Sequence, residues 1–277
     1  MLNSIKNIYF LGVGGIGMSA LAHWTHLNKM NIQGWDDNID SPTVNKLTQA
    51  GIIVHNNAQK DRFFSDIKEF NTKNTIIIYT PAISKDHELF VYFKLKKYKI
   101  FKRADLLEFI SRNYRVVAIA GTHGKTTISI MLSHILRFSK IKCNAFFGGI
   151  SNDYDSNFLI GDANIMVIEA DEYDQSFLKL SPSISLISSL DKDHGDVYDS
   201  YEAMMIAYQN FISKTEDITV GHHNLNNKFD FTYSPQPSAD FYVSNKSVVD
   251  HKLYFKMHFP NGAEIKTYLS FGSNHNV

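Results

Sequence analysis

The 277-residue chain is 44% hydrophobic and 20% charged, with 28 basic side chains against 28 acidic ones. That balance leaves no electrostatic footprint for nucleic acid or a membrane surface, and the length suits about two domains of roughly 100–200 residues each. The single cysteine, Cys143, excludes an internal disulfide, fits a reducing compartment and reads as a small core residue.

The N-terminal MLNSIKNIYFLGV lacks the basic segment and cleavage site of a signal peptide. No run approaches the ~18 apolar residues of a membrane-spanning helix, so a soluble, cytoplasmic protein is expected. NIYFLGV reads as a buried strand, and Ile16, Ala20, Leu21 and Trp24 then follow helical spacing. NIQGWD is a second strand. SPTVNKLTQAG has the marks of a short helix, with Ser41 as cap, Pro42 at the first turn and Gly51 past the end. IIVH, a polar helical stretch, NTIIIYTPAI, the helical DHELFVYFKLKKY, KIF and ADLLEFISR continue the alternation. Continuous apolar strands alternating with helices predict a Rossmann-like parallel sheet covered on both faces, over residues 1–112.

A second α/β domain, 113–277, opens with RVVAIAG, a glycine loop and a helix whose Ile128, Leu132, Ile135 and Leu136 share a face. CNAFFGG, NIMVIEAD and SISLISSLD read as further strands and SYEAMMIAYQNFISK as a helix. From residue 218 short strands dominate, and KLYFKMHFPNGAEIKTYLSF predicts a hairpin turning at Asn261-Gly262.

Two loops carry chemistry. Gly12-Val13-Gly14-Gly15-Ile16-Gly17 sits between strand and helix as G-x-G-x-x-G, so backbone N–H groups and the helix dipole face a pyrophosphate. Asp36 ends the next strand about twenty residues on, where an acid accepts bonds from ribose hydroxyls. A sugar nucleotide and NAD present the same pyrophosphate, and the motif leaves that choice open. The second loop, GTHGKTT, offers Lys125 to β- and γ-phosphates and the Thr126 hydroxyl to Mg²⁺. It departs from the strict phosphate-loop pattern at Ile119. Two acidic clusters each follow a buried strand: Glu169, Asp171, Glu172 and Asp174, then Asp191, Asp193, His194 and Asp196. Carboxylates at this density repel unless a cation or basic group compensates them.

FLGVGGIGMSALA, AGTHGKTT, EADEYDQSFLKLSP and DKDHGDVY together resemble the Mur ligase family, with YTPAI and KRADLLEFI in weaker agreement. GGIGMSA favours a biosynthetic member over those that recycle cell-wall peptides, and the family's GTHGKTT variant accounts for Ile119. The resemblance implies a P-loop central domain of ATPase type and an ATP-dependent amide-forming ligase of peptidoglycan precursor synthesis. ATP would phosphorylate the lactyl carboxylate of UDP-N-acetylmuramate, and the amine of L-alanine would attack the acyl phosphate.

By resemblance, Gly12, Gly14, Gly15, Ile16, Gly17, Ser19, Asp36 and Arg103 would hold the UDP-sugar. Gly121, Thr122, His123, Gly124, Lys125, Thr126, Thr127 and Asn276 would hold ATP. Lys125 would steady the transferring phosphoryl group, and His123 could contact substrate or phosphate. Thr126 and Glu169 would bind one Mg²⁺, and Glu169 with His194 a second. Gly195 departs from the larger residue the family usually has there. The family also carries a third domain that binds the amino acid and closes over the nucleotide. The central domain is therefore expected to be incomplete in this chain, without an L-alanine pocket, so that it binds UDP-sugar and ATP without turnover. Two other readings stand beside this one: a non-catalytic nucleotide-sugar-binding fragment or degenerate copy, and an NAD-dependent oxidoreductase.

Overall fold

A computed structural model describes residues 4–68, 70–191, 198, 200–225 and 227–270. The first sheet is built from β1 (Asn7–Leu11), β2 (Asn31–Trp35), β3 (Ile53–His55), β4 (Thr75–Tyr79) and β5 (Lys99–Lys102). Its order is β3-β2-β1-β4-β5 and every pairing is parallel, with Asn7 opposite both Asn31 and Thr75. The connecting helices are α1 (Ile16–Leu27), α2 (Pro42–Gln49), α3 (Lys60–Asp66), α4 (Glu88–Leu95) and α5 (Arg103–Ser111). β1 is buried along its whole length because helices cover both faces. The Ser41 hydroxyl accepts from Val44 N to start α2, and Gly51 follows its end in the left-handed region (φ +86°).

The second sheet begins at β6 (Arg115–Ala120), followed by α6 (Lys125–Phe138). β7 (Asn144–Ser151) and β8 (Ser156–Leu159) form a hairpin, then come β9 (Ile165–Glu169), a 3-10 helix (Tyr173–Lys179) and β10 (Ile184–Ile187). α7 (Tyr201–Ile212) leads to β11 (Ile218–His222), β12 (Phe231–Ser234), β13 (Phe241–Val249), β14 (Lys252–His258) and β15 (Glu264–Leu269). The order is β15-β14-β13-β12-β11-β10-β6-β9-β7-β8. Antiparallel pairs occur at both ends, β7–β8 on one side and β13–β14–β15 on the other. Asn261-Gly262 makes the β14–β15 turn, with Gly262 at φ +79°.

Three of the four residues expected on the apolar face of α6, Ile128, Leu132 and Leu136, pack against the core, whereas Ile135 does not. Ser129 and Ser133 are fully buried at the centre of the contact, flanked by partly buried Ile128, Ile130, Leu132 and Leu136. Ile135 is 58% exposed and Phe138 84%. Small serines four residues apart let the helix backbone approach the sheet closely, which turns Ile135 outward. Cys143 is buried and free, packed beneath this helix.

A single apolar core runs from the first sheet (Ile8, Phe10, Ile78) through α1 and α5 (Leu21, Trp24, Leu106, Ile110) into the second (Ala118, Phe146, Ile168). Trp24 lies 6.0 Å from the Phe146 ring and donates through Nε1 to Asn144 Oδ1 at 3.1 Å. The two sheets are thus joined by packing rather than by a linker alone, and both glycine loops sit at the carboxyl ends of their strands.

Candidate active site

At the first loop, Gly12 takes φ +80°, and its N–H and that of Val13 donate to Trp35 O. A side chain on Gly14 would collide with Asp36. The Asp36 carboxylate accepts from Gly14 N at 2.7 Å and from Asn38 N at 3.0 Å, while Thr43 Oγ1 donates to Gly14 O. Asp36 therefore braces the loop, with lone pairs left over for a ligand hydroxyl. Gly15 precedes α1 with no side-chain cap, so the N–H groups of the first helical turn lack an intrahelical acceptor and suit an anion. Ser19 is buried, and its hydroxyl donates to Ile16 O and accepts from Asn157 Nδ2. Arg103, first residue of α5, lies over Gly17, where a Cβ would come within 2.8 Å of its Nη1. Its Nη2 donates to Asp171 at 3.0 Å. The start of α5 is fixed by Asp105, which accepts from Lys102 N and pairs with Lys179.

At the second loop, Gly121 takes φ +128° and Gly124 φ +79°. Thr122 is buried: its N–H donates to Ser189 O, and its hydroxyl bonds Ser189 Oγ and accepts from Asp191 N. His123 is exposed, its N–H donating to Ser189 Oγ and its Nε2 lying 3.7 Å from Asp191 Oδ2. Lys125 Nζ donates to Gly121 O at 2.6 Å and to Glu172 Oε1 at 2.9 Å, in a pair almost withdrawn from solvent. Thr126 Oγ1 donates to Glu169 Oε1 at 2.8 Å, and Gly148 N donates to Glu169 Oε2 at 2.6 Å. A Cβ on Gly148 would meet that carboxylate at 2.4 Å, so the close approach requires glycine. Thr127 is exposed beside the loop.

A cleft of about 330 Å³ joins the two halves, lined by Gly17, Arg103, Phe146, Gly148, Glu169 and Asp171 among others. It brings Ile16, Gly17, Arg103 and Glu169 to one space. Gly12, Gly14, Gly15, Asp36 and residues 121–127 do not line it, and Ser19 lines a separate pocket with Lys46 and Asn157. His194 and Asn276 lie outside the described residues. Among the described residues no three His, Cys, Asp or Glu side chains converge on one point. The paired oxygens of Thr126 and Glu169 nonetheless fit Mg²⁺, which takes hard oxygen donors and keeps several waters or phosphate oxygens.

Sequence reasoning missed Ser188, Ser189, Gly148 and Asn157. Ser188 and Ser189 follow β10 in SSL, where two small hydroxyl residues at a strand end were the only signal. Behind the loop, burial pushes the Tyr233 phenol up to about 12. Burial, then the Glu172 charge, does the same to Tyr198 and raises Tyr208 further. A phenol harder to ionise in the folded chain contributes stability that is whole below its ordinary value near 10 and is lost as pH climbs through the raised one. Urea midpoints are therefore expected to hold from pH 8 to about 10 and fall above it. Tyr208→Phe should show a shallower fall; an unchanged slope would contradict the assignment.

Two α/β units, a pyrophosphate-type loop, and a Lys-Thr loop beside carboxylates form the arrangement expected of a phosphate-binding α/β fold. The chain belongs to the Mur ligase family: the "Mur ligase family, catalytic domain" matches residues 7–115 and the "Mur ligase middle domain" residues 119–277. A UDP-N-acetylmuramate–L-alanine ligase of Porphyromonas gingivalis is 38% identical over 274 residues, covering 93% of this chain and 58% of the relative. One of Christiangramia forsetii is 35% identical over all 277 residues and 61% of its own length. The chain thus spans about three-fifths of these relatives. Among solved structures, the UDP-N-acetylmuramate–alanine ligase of Thermotoga maritima superposes with TM-score 0.82 at 22% identity, over 98% of this chain and 62% of that one. The UDP-N-acetylmuramate:L-alanyl-gamma-D-glutamyl-meso-diaminopimelate ligase of Neisseria meningitides gives 0.83 at 18% identity, over 98% and 90%. These two likenesses establish the shared fold. Among the described residues no helix is long and apolar enough to cross a membrane.

Proposed function

We propose that this chain carries the UDP-sugar and ATP sites of an ATP-dependent ligase that joins the lactyl carboxylate of UDP-N-acetylmuramate to L-alanine in the cytoplasm. The observation that supports it most directly is the shared cleft, where Gly17 of the first loop and Arg103 of α5 face Glu169, whose carboxylate accepts from Thr126 just past the second loop. In this reading the α1 N–H groups and Arg103 take the diphosphate of the sugar nucleotide, and Asp36 takes a hydroxyl. The backbone of residues 121–126 wraps the ATP phosphates, with His123 at the open side and Thr127 beyond it. Mg²⁺, held by Thr126 and Glu169, and a second ion involving His194, would neutralise phosphate oxygens so that an anionic carboxylate can approach them.

Lys125 leaves Glu172 to follow the γ-phosphoryl group as the lactyl oxygen bonds to phosphorus and the bond to ADP breaks. Phe146 and Phe147 keep water from the acyl phosphate. The alanine amine then bonds to the acyl carbon, phosphate departs with its bonding pair, and the amine releases a proton. Asn276 is assigned to adenine in the same scheme. An oxidoreductase would leave GTHGKTT and Glu169 without work. Calorimetric titration of the chain with UDP-N-acetylmuramate, with NADH as paired control, tests the reading. Binding of the sugar nucleotide alone is expected; binding of NADH alone overturns it.

A further inference from the structure

The β7–β8 hairpin touches both halves of the cleft. Near the end of β7, Gly148 N holds the Glu169 carboxylate. At the end of the turn Asp155 takes Lys46 Nζ of α2 on its carbonyl and carboxylate, and past it the ring of Phe158 lies 5.1 Å from His23 of α1. Between them Asn157, buried on β8, donates from Nδ2 to Ile16 O at 2.6 Å and to Ser19 Oγ at 3.0 Å.

Ile16 C=O and Gly17 N–H belong to one planar peptide unit and point in opposite directions. Fixing the carbonyl on Asn157 therefore fixes the direction of the Gly17 N–H, a first-turn donor of an uncapped helix. A hydrogen bond accepted at the carbonyl also polarises the same amide and strengthens its N–H as a donor. Gly17 lines the cleft, whereas Asn157 does not, so Asn157 acts on a ligand through the peptide rather than by touching it. Its neighbours on the hairpin tie that aim to the position of Glu169.

We infer that Asn157 is a positioning residue for the diphosphate of the nucleotide at the first loop, aiming the Gly17 N–H from across the domain junction. The inference rests on the proposed reading of that loop as a UDP site. Asn157→Asp keeps the shape, removes the donor and sets a carboxylate against a carbonyl; Asn157→Ala removes the group altogether.

The test titrates the full chain and both variants with UDP, uridine and ADP with Mg²⁺, after melting temperatures show which variants are folded. UDP binding is expected to weaken about tenfold in both variants, while uridine and ADP affinities stay at the wild-type value. Unchanged UDP affinity in a folded variant overturns the inference. So does parallel weakening of UDP, uridine and ADP, which is the signature of general loosening. A wild-type chain that binds ADP but not UDP instead refutes the underlying assignment of the first loop, and this inference with it.

Discussion

Gly121→Ala is expected to abolish ADP binding and to destabilise the chain by about 3 kcal/mol or more. At φ +128° an L side chain is strained before any contact is counted. The added Cβ would also lie 2.2 Å from Ser188 Oγ and 2.9 Å from both Ser188 N and Ser189 N. Two of those three atoms are backbone, and Ser188 N is already bonded to Ala120 O, so nothing can swing aside. The loop would have to lift from the end of β10, taking Thr122 and His123 off their Ser189 contacts. Urea unfolding and ADP calorimetry read the two effects separately. A variant of wild-type stability would show that the loop has room the geometry denies it.

Lys125→Ala is expected to weaken ADP binding in the presence of Mg²⁺ by about 100-fold, from loss of a charge-assisted contact to phosphate. It should also lower stability by about 3 kcal/mol, for a reason unrelated to nucleotide. Lys125 and Glu172 form a pair with side chains 13% and 6% exposed, and removing the cation takes the counter-charge from a buried carboxylate. The double variant Lys125→Ala/Glu172→Gln is expected to regain most of the stability and none of the affinity. Recovery of both would mean that Lys125 serves the fold alone.

The first sheet was legible because β1 and β4 are apolar runs alternating with helical stretches and its second helix is bracketed by Ser41-Pro42 and Gly51. The β14–β15 turn was legible from Asn-Gly. β8 was not, since SNDYDSNF is polar and lacks a two-residue alternation; its pairing is decided by tertiary partners such as Ile16 and Lys46. On α6 only Ile135 was misplaced and Ser129 and Ser133 were overlooked, because buried serines give no hydrophobic signal. At the site, both glycine loops declared themselves by spacing, and the acids by density. Density could not say which carboxylate meets which partner, since that depends on how β9 turns into the 3-10 helix beside α5 and α6. Nor could it show that Asp36 closes on its own loop.

The four residues Glu169–Glu172 distribute three carboxylates among three different tasks: Glu169 on Thr126 and Gly148, Asp171 on Arg103, Glu172 on Lys125. Arg103 beside the first loop and Lys125 at the second are thereby each paired with a carboxylate of the same stretch. An incoming anion exchanges places with a resident carboxylate instead of meeting a bare cation, and the Coulombic gain is a difference between two similar pairings. Chloride or a single phosphate gains little from such an exchange. Under the proposed function, a ligand bearing several linked negative groups would displace more than one carboxylate in a single event, so one short acidic stretch would favour polyanions over single phosphates.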